Sequence, residues 1–220
     1  NISEELRTPV VLLPEAVVAH IREPVRIPEP GDIPVVERKK KTFSDKRYFM
    51  RDEDGVARPP TLGNGYRVHY TSLVHTEEGF FTSSPQKIDG FTRGLMRKLT
   101  TKEELLTDFE ENWCEDAHVI LVSFGVTARA CQRAARDFRK MGYKVGYFRP
   151  RIVWPFPAKD LLRAARNVHT IIVPELNFGQ MKMEVERIFG KEIRIVGVNK
   201  VDGTMLELSR ITSAVREAVS

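Results

Sequence analysis

Two hydrophobic periods alternate along this chain, and the regularity of that alternation changes near residue 113. Beyond it, short apolar runs recur between stretches of helical spacing. Val119-Ile120-Leu121-Val122 reads as a buried strand. Gly125 turns the chain, and Thr127 is placed to cap a helix. The buried face of that helix is Ala128, Cys131, Ala135, Phe138 and Met141, and Gly142 ends it. Tyr143–Phe148 is a second strand, residues 158–167 a short helix, and Thr170–Val173 a third strand. Gln180–Phe189 reads as a helix ended by Gly190, and Ile193–Val198 as a fourth strand. Thr204 and Glu207 have capping-box spacing before a last helix that turns Leu208, Ile211, Val215 and Val219 inward. Strands separated by helices need crossovers, hence a largely parallel sheet. The expectation is a three-layer α/β domain over 113–220.

The upstream pattern is less regular. Thr8–Leu13 is a short apolar run of strand type. Pro14 then precedes Glu15–Glu23, a helix-like stretch stopped by Pro24. Residues 24–36, with Pro24, Pro28, Pro30 and Pro34, read as an extended connector. A lone strand and helix cannot make a core, so residues 1–36 are expected to be the end of a larger domain plus its connector. Residues 37–112 are expected to be an α+β lead-in subdomain. Its first part is charged and irregular, Tyr66–Tyr70 alternates as a strand does, and Ser84-Pro85 opens a helix. Ile88, Phe91, Leu95 and Leu99 make the stripe of that helix, and Thr101-x-x-Glu104 predicts another with Leu105 and Phe109 on one face.

Composition narrows the classes. An apolar share of 41% in 220 residues suits a globular chain, and no apolar run reaches the roughly 20 residues of a membrane span. No charged-then-apolar signal segment opens the chain, and Asn1 stands where an initiator Met would. Cys114 and Cys131 are the only thiols, too few for an iron–sulfur cluster or a cysteine zinc site, and a reducing cytosol is the default compartment. The histidines lack metal-site spacing. His69 and His75 share strand parity, and the reading preferred for them is ordinary surface or core histidine.

Thirty-five Lys and Arg against 30 Asp and Glu leave a net charge of +5. Arg129, Arg133, Arg136, Arg139 and Lys140 line one helix, but without aromatic interleaving a solvated or subunit-facing surface is the better reading than a nucleic-acid groove.

Catalytic motifs are absent: no Walker loop, no G-x-G-x-x-G, no G-x-S-x-G. Ser123-Phe124-Gly125-Val126-Thr127 could offer backbone N–H groups to an anion or be a plain strand–helix turn. Cys131 reads as a small core residue. Two loops stand at strand carboxyl ends, where α/β sheets gather ligands and partners. These are Arg149–Pro157 (RPRIVWPFP) and Pro174–Met181 (PELNFGQM). Their candidates for an interface or a ligand approach are Arg149, Arg151, Glu175, Asn177 and Gln180. An irregular connection with solvated charges is the alternative.

Together, Ser123-Phe124-Gly125, RPRIVWPFP, PELNFGQM, GYRVHYTSLVHTEEGFFTSS at 65–84 and TPVVLLPEAVVAHIRE at 8–23 resemble the alpha subunits of 2-oxoacid:ferredoxin oxidoreductases. The third region is similar to their domain II, which is transketolase C-terminal-like. The opening resembles the end of their pyrimidine-binding domain, and PEPGDIPVVERKK is most like the 2-oxoglutarate type. The resemblance implies a thiamine diphosphate-dependent enzyme of the cytoplasm that decarboxylates a 2-oxoacid, sends electrons through iron–sulfur centres to ferredoxin and forms acyl-CoA. Its implied partners are a thiamine-binding beta subunit, gamma and ferredoxin-like subunits, ferredoxin and coenzyme A, with no membrane and no nucleic acid. Thiamine diphosphate, magnesium and the iron–sulfur cluster would be bound by other chains or by an earlier part of the subunit. The family's G-D-G…N-N motif is absent here, and no catalytic residue carries over. The chain is then expected to be the carboxyl-terminal part of an alpha subunit, mainly structural. A pyruvate- or branched-chain-type enzyme and a non-catalytic module of the same fold are the alternatives. In this light the positive surplus reads as a surface for acidic partners or CoA phosphates.

Overall fold

The structure, a computed structural model, describes all 220 residues. In chain order its helices are α1 (Ile2–Leu6), α2 (Ala16–His20), α3 (Pro85–Thr101), α4 (Gly125–Lys140), α5 (Ala158–Ala164), α6 (Gln180–Phe189) and α7 (Leu208–Val219). The strands are β1 (Phe109–Asn112), β2 (Val119–Val122), β3 (Val145–Pro150), β4 (Thr170–Glu175) and β5 (Arg194–Asn199). The chain divides into two units: residues 1–12 with 24–106, and residues 13–23 with 107–220.

The second unit is the expected three-layer domain. Its sheet has the order β1-β3-β2-β4-β5, parallel except for β1 against β3. Val119 pairs with Val145 on one side and Thr170 on the other, and Thr170 pairs with Arg194. The interior strands β2 and β4 are buried along their whole length because helices cover both faces, which is why they read as unbroken apolar runs. On one face Val119, Leu121 and Ile172 meet Ala128, Cys131 and Ala135 of α4 and Ile211 and Val215 of α7. On the other, Ile120, Ile171 and Val173 meet Leu161 of α5 and Met181, Val185 and Phe189 of α6. Each fully buried Ile, Leu or Val contributes about 1.5–3 kcal/mol.

Several expected details differ. The strand β1 was not expected. α3 runs through Thr101, so that residue cannot cap a following helix, and only a 3-10 turn forms at Glu103–Leu106. Leu106 is buried there while Leu105 is exposed. Phe109-Glu110-Glu111-Asn112 then pairs antiparallel at the sheet edge, where a strand need not be apolar. Helix α4 begins at Gly125, which places Thr127 inside the helix and buried, and Met141 falls past its end and is exposed. Thr204 turns back to Asp202 (Thr204 N–H to Oδ1 2.9 Å) and does not cap α7. Residues 8–13 form no strand, since no segment of the chain pairs with them, and Val11, Leu12 and Leu13 are exposed. Residues 66–70 are not a strand either; nearby, only the isolated bridge His75–Phe81 forms.

The first unit has a small core of Leu6, Val56 and Leu106, backed by Ile2 and Leu99. Charge and rings supply the rest. The buried Arg58 donates to Asp52 and to Asp54, each at 2.6 Å. Phe43, Tyr48 and Tyr66 meet edge to face with centroids 5.3–5.9 Å apart.

Candidate functional site at the strand carboxyl ends

In the parallel part of the sheet the chain leaves β2 toward β3 through α4, then crosses back to β4 through α5. The order therefore reverses between β2 and β4, and α/β sheets bind ligands outside the carboxyl ends at such a point. Here the chain's own groups occupy that place. Ser123 Oγ, just past β2, donates to the Pro174 carbonyl at 2.7 Å. Gly125 opens α4 with φ +63, and a Cβ there would stand 2.7 Å from Glu15 Oε2. That same carboxylate oxygen accepts the Val126 N–H. The turn that the sequence marks as a possible anion site is thus an anion site, filled from residue 15. Arg129 of α4 reaches Glu23 at 2.9 Å, so the segment 13–23 is held to α4 at both ends.

The next turn repeats the device. Glu175 ends β4, is 2% exposed, and accepts the N–H groups of Met181 at 2.9 Å and Lys182 at 3.1 Å. Asn177 Oδ1 accepts from Gly179 at 2.8 Å and Gln180 at 3.1 Å, and its carbonyl accepts from Asn199 Nδ2 at 2.9 Å. Between them, Glu175 and Asn177 satisfy the N–H groups at the start of α6 that have no partner within the helix. The Gln180 side chain is exposed.

Beside this turn lies a cleft of about 430 Å³ lined by Glu15, Val17, Leu176, Asn177, Phe178 and Lys200 among others. Phe178 projects from its rim, 85% exposed. Lys200 is engaged by Glu207 and by the Met205 carbonyl at 3.0 Å. Glu15, Phe178 and Lys200 were not singled out from the sequence. Nothing local marks Glu15, which acts 111 residues away in the chain.

Arg149 and Arg151 lie at the opposite edge. Arg149 is 3.7 Å from Glu110, and Arg151 is 3.2 Å from Asp108 and 3.8 Å from Glu110. Trp154, on the far side of that loop, is 70% exposed, and the Trp154–Pro155 peptide is cis. The five candidates therefore separate into two groups: Glu175, Asn177 and Gln180 at α6, and the two arginines against β1.

No set of three or more His, Cys, Asp and Glu side chains is placed to share a metal ion. The thiols of Cys114 and Cys131 lie in the cores on opposite faces of the sheet, so they can share neither a bridge nor a metal. Burial pushes Cys131 up to about 12, against the pull of the Ser123 hydroxyl. Burial also pushes Cys114 up to about 11, so both stay protonated at neutral pH. His69 stacks on Phe80 with centroids 4.8 Å apart, and His75 packs on Phe49 at 4.5 Å. Two thiols on opposite sheet faces cannot ligate an iron–sulfur cluster.

Comparison with known proteins gives the class first: residues 117–211 match the family described as pyruvate:ferredoxin oxidoreductase core domain II. The chain carries that domain, and over most of its length it is a homologue of 2-oxoacid:ferredoxin oxidoreductase subunits. It is 32% identical to the 2-oxoglutarate synthase subunit KorA of Methanocaldococcus jannaschii, across 98% of this chain and 57% of that protein. With the KorA subunit of Methanothermobacter marburgensis it is 31% identical, across 92% of this chain and 54% of that protein. The chain thus spans about half the length of these relatives. Among solved structures, the 2-oxoglutarate:ferredoxin oxidoreductase from Magnetococcus marinus, with 2-oxoglutarate, coenzyme A and succinyl-CoA bound, shares the fold. Its TM-score is 0.78 at 23% identity, over 88% of this chain and 34% of that one.

Proposed function

We propose that the chain is part of the alpha subunit of a 2-oxoglutarate:ferredoxin oxidoreductase of the cytoplasm. Such an enzyme uses thiamine diphosphate to decarboxylate the 2-oxoacid, passes two electrons through iron–sulfur centres to ferredoxin and releases the acyl-CoA. The observation that carries this reading is the likeness to KorA subunits along nearly the whole chain.

In this reading a beta subunit, or another part of the alpha subunit, holds thiamine diphosphate, magnesium and the cluster; the missing G-D-G…N-N motif and the two separated thiols support that division. Gamma and ferredoxin-like subunits complete the assembly. The work of this chain is to shape an interface and one wall of the approach for substrate or coenzyme A. The strand-end rims with exposed Phe178 and Trp154, and the arginines 149 and 151, support that role. The exposed run at 10–13 supports reading residues 1–36 as the end of a pyrimidine-binding domain, with 37–112 a linker subdomain and 113–220 domain II. Two unpaired buried thiols suit a reducing compartment, and no helix is long and apolar enough to cross a membrane.

The test is coexpression of the full-length subunit with its beta subunit, followed by CoA-dependent ferredoxin reduction with 2-oxoglutarate, pyruvate and 3-methyl-2-oxobutanoate. The reading expects kcat/KM for 2-oxoglutarate to lead by about tenfold or more. Preference for another acid moves the substrate within the family, and no CoA-dependent reduction with any acid discards the reading.

A further inference from the structure

The first unit contains a cavity of about 940 Å³ that the strand-end site does not involve. One wall is a face of α3 where Gly90 and Gly94 stand one turn apart. Glycine is among the poorest residues for a helix interior, so a pair on one face calls for a reason. At Gly90 nothing lies within 4 Å of where a Cβ would stand. At Gly94 such an atom would meet Arg51 Nε at 2.5 Å. Arg51 therefore lies flat on the bare helix, 5.2 Å from the centroid of Phe91, and donates to the Gly55 carbonyl at 3.1 Å. Lys98, from the next turn of α3, is 6% exposed and donates to the Arg7 carbonyl at 3.0 Å.

Neither Arg51 nor Lys98 has a carboxylate partner, yet the unit is not short of acids. Its other buried cation, Arg58, holds two aspartates. Of the carboxylates that line the cavity, Glu4 is committed to Arg38 at 2.9 Å and Arg7 at 3.6 Å, while Glu77 and Glu78 make no ion pair. Lys98 is buried and Arg51 half-buried, and a cation drawn out of water without a counter-ion is costly. Burial, then the charges of Arg51 and Arg7, holds Lys98 below the ordinary lysine range, and burial lowers Arg51 as well. Beside these cations stands a wall of rings, with His75 4.5 Å from Phe49 and 5.1 Å from Phe91. Two neighbouring cations match a phosphate dianion, where a single carboxylate would leave one over.

We infer that this cavity binds a phosphate-bearing ligand, its oxyanion between Lys98 and Arg51 and its attached group against Phe49 and Phe91. Binding to this chain does not rest on the oxidoreductase reading; only the closing control with a partner subunit does. The shared chemistry covers inorganic phosphate and a nucleotide ester, and the test separates them. Calorimetry and thermal melting of the full-length protein are run with inorganic phosphate and with ADP, on wild type, Lys98→Met and Gly90→Leu. Gly90→Leu places a side chain in the cavity from an uncrowded position and favours the helix, so it tests the site without endangering the fold. Saturable binding to wild type, weakened tenfold or more in both variants, is expected. Tighter ADP than phosphate identifies an ester ligand, and equal affinity a free oxyanion. No binding to wild type, or binding unchanged in both variants, overturns the inference. So does a response that disappears once the protein is assembled with its partner subunit, since a partner carboxylate would then be the occupant.

Discussion

Replacing Glu175 by alanine would remove the acceptor for two helix N–H groups in a place that water does not reach. The carboxylate is 2% exposed and lies 2.9 Å from Met181 N and 3.1 Å from Lys182 N. Each N–H left unpaired in the interior costs about 1–3 kcal/mol, and loss of an anion at a helix N-terminus adds about 0.3–2 kcal/mol. These terms are not additive, so a loss of about 3–4 kcal/mol is expected, a large share of a domain's stability. For a unit of this size that corresponds to a fall in Tm of about 10–15 °C. Glu175→Gln keeps one acceptor oxygen and should cost about 1–2 kcal/mol. The measurement is urea unfolding followed by far-UV circular dichroism, with Gln180→Ala as the exposed control, expected within about 0.5 kcal/mol of wild type. If Glu175→Ala unfolds at the same urea concentration as that control, the carboxylate does not hold α6. If Glu175→Gln keeps its stability but loses turnover in the assembled enzyme, Glu175 serves a ligand instead.

Three further outcomes are expected. The Arg58 guanidinium, against opposing burial, holds the Asp54 carboxyl below the usual range. Its stabilisation is then full above about pH 4 and fades as pH falls through the lowered native value, so Asp54→Asn should flatten the acid limb of a stability-against-pH curve. An unchanged limb would remove this pair from the account. Cys114 and Cys131, buried and pushed up to about 11 and about 12, should react with a thiol reagent at pH 8 no faster than the protein unfolds. Rapid labelling of the native protein would contradict their burial. Charge reversal at both Arg149 and Arg151 breaks only part-exposed pairs worth about 0–1 kcal/mol each, so folding should survive. If assembly, CoA affinity and turnover also survive, the proposed rim interface is wrong.

What was legible in the sequence follows burial. β2 and β4 are buried on both faces, so no polar residue interrupts them, and their type could be read directly. Helix α6 matches its expected span because a glycine stands at each end. β1 was not legible: at a sheet edge Glu110 and Glu111 can point to solvent or to a neighbouring arginine, and the strand carries one apolar residue. The first unit was harder still. Its fold rests on Arg58 between two aspartates and on ring contacts such as Phe49–His75, neither of which leaves a period in the sequence. At the strand-end site the residues on one loop, Glu175 and Asn177, could be named, whereas Glu15 could not, because its role exists only after a segment 111 residues distant comes to lie on α4.

The charge balance gains a different meaning from these pairings. A surplus of five cations suggests a positive surface, yet Arg149, Arg151 and Arg163 are met within the chain. Asp108, Glu110 and Glu111 of β1 and its approach face Arg149, Arg151 and Arg163, the last held at 3.0 Å. The edge strand thus does two jobs: it borders the sheet, and it pairs these arginines. Exposed pairs of this kind are weak, so a partner could exchange them for its own carboxylates at little cost. Two cations drawn out of water without such partners lie elsewhere, the half-buried Arg51 and the buried Lys98, where the absence of an anion is expensive. On energetic grounds the place to look for a bound anion is therefore the recess above Gly90, and the arginine rim is better suited to choosing a partner than to gripping one.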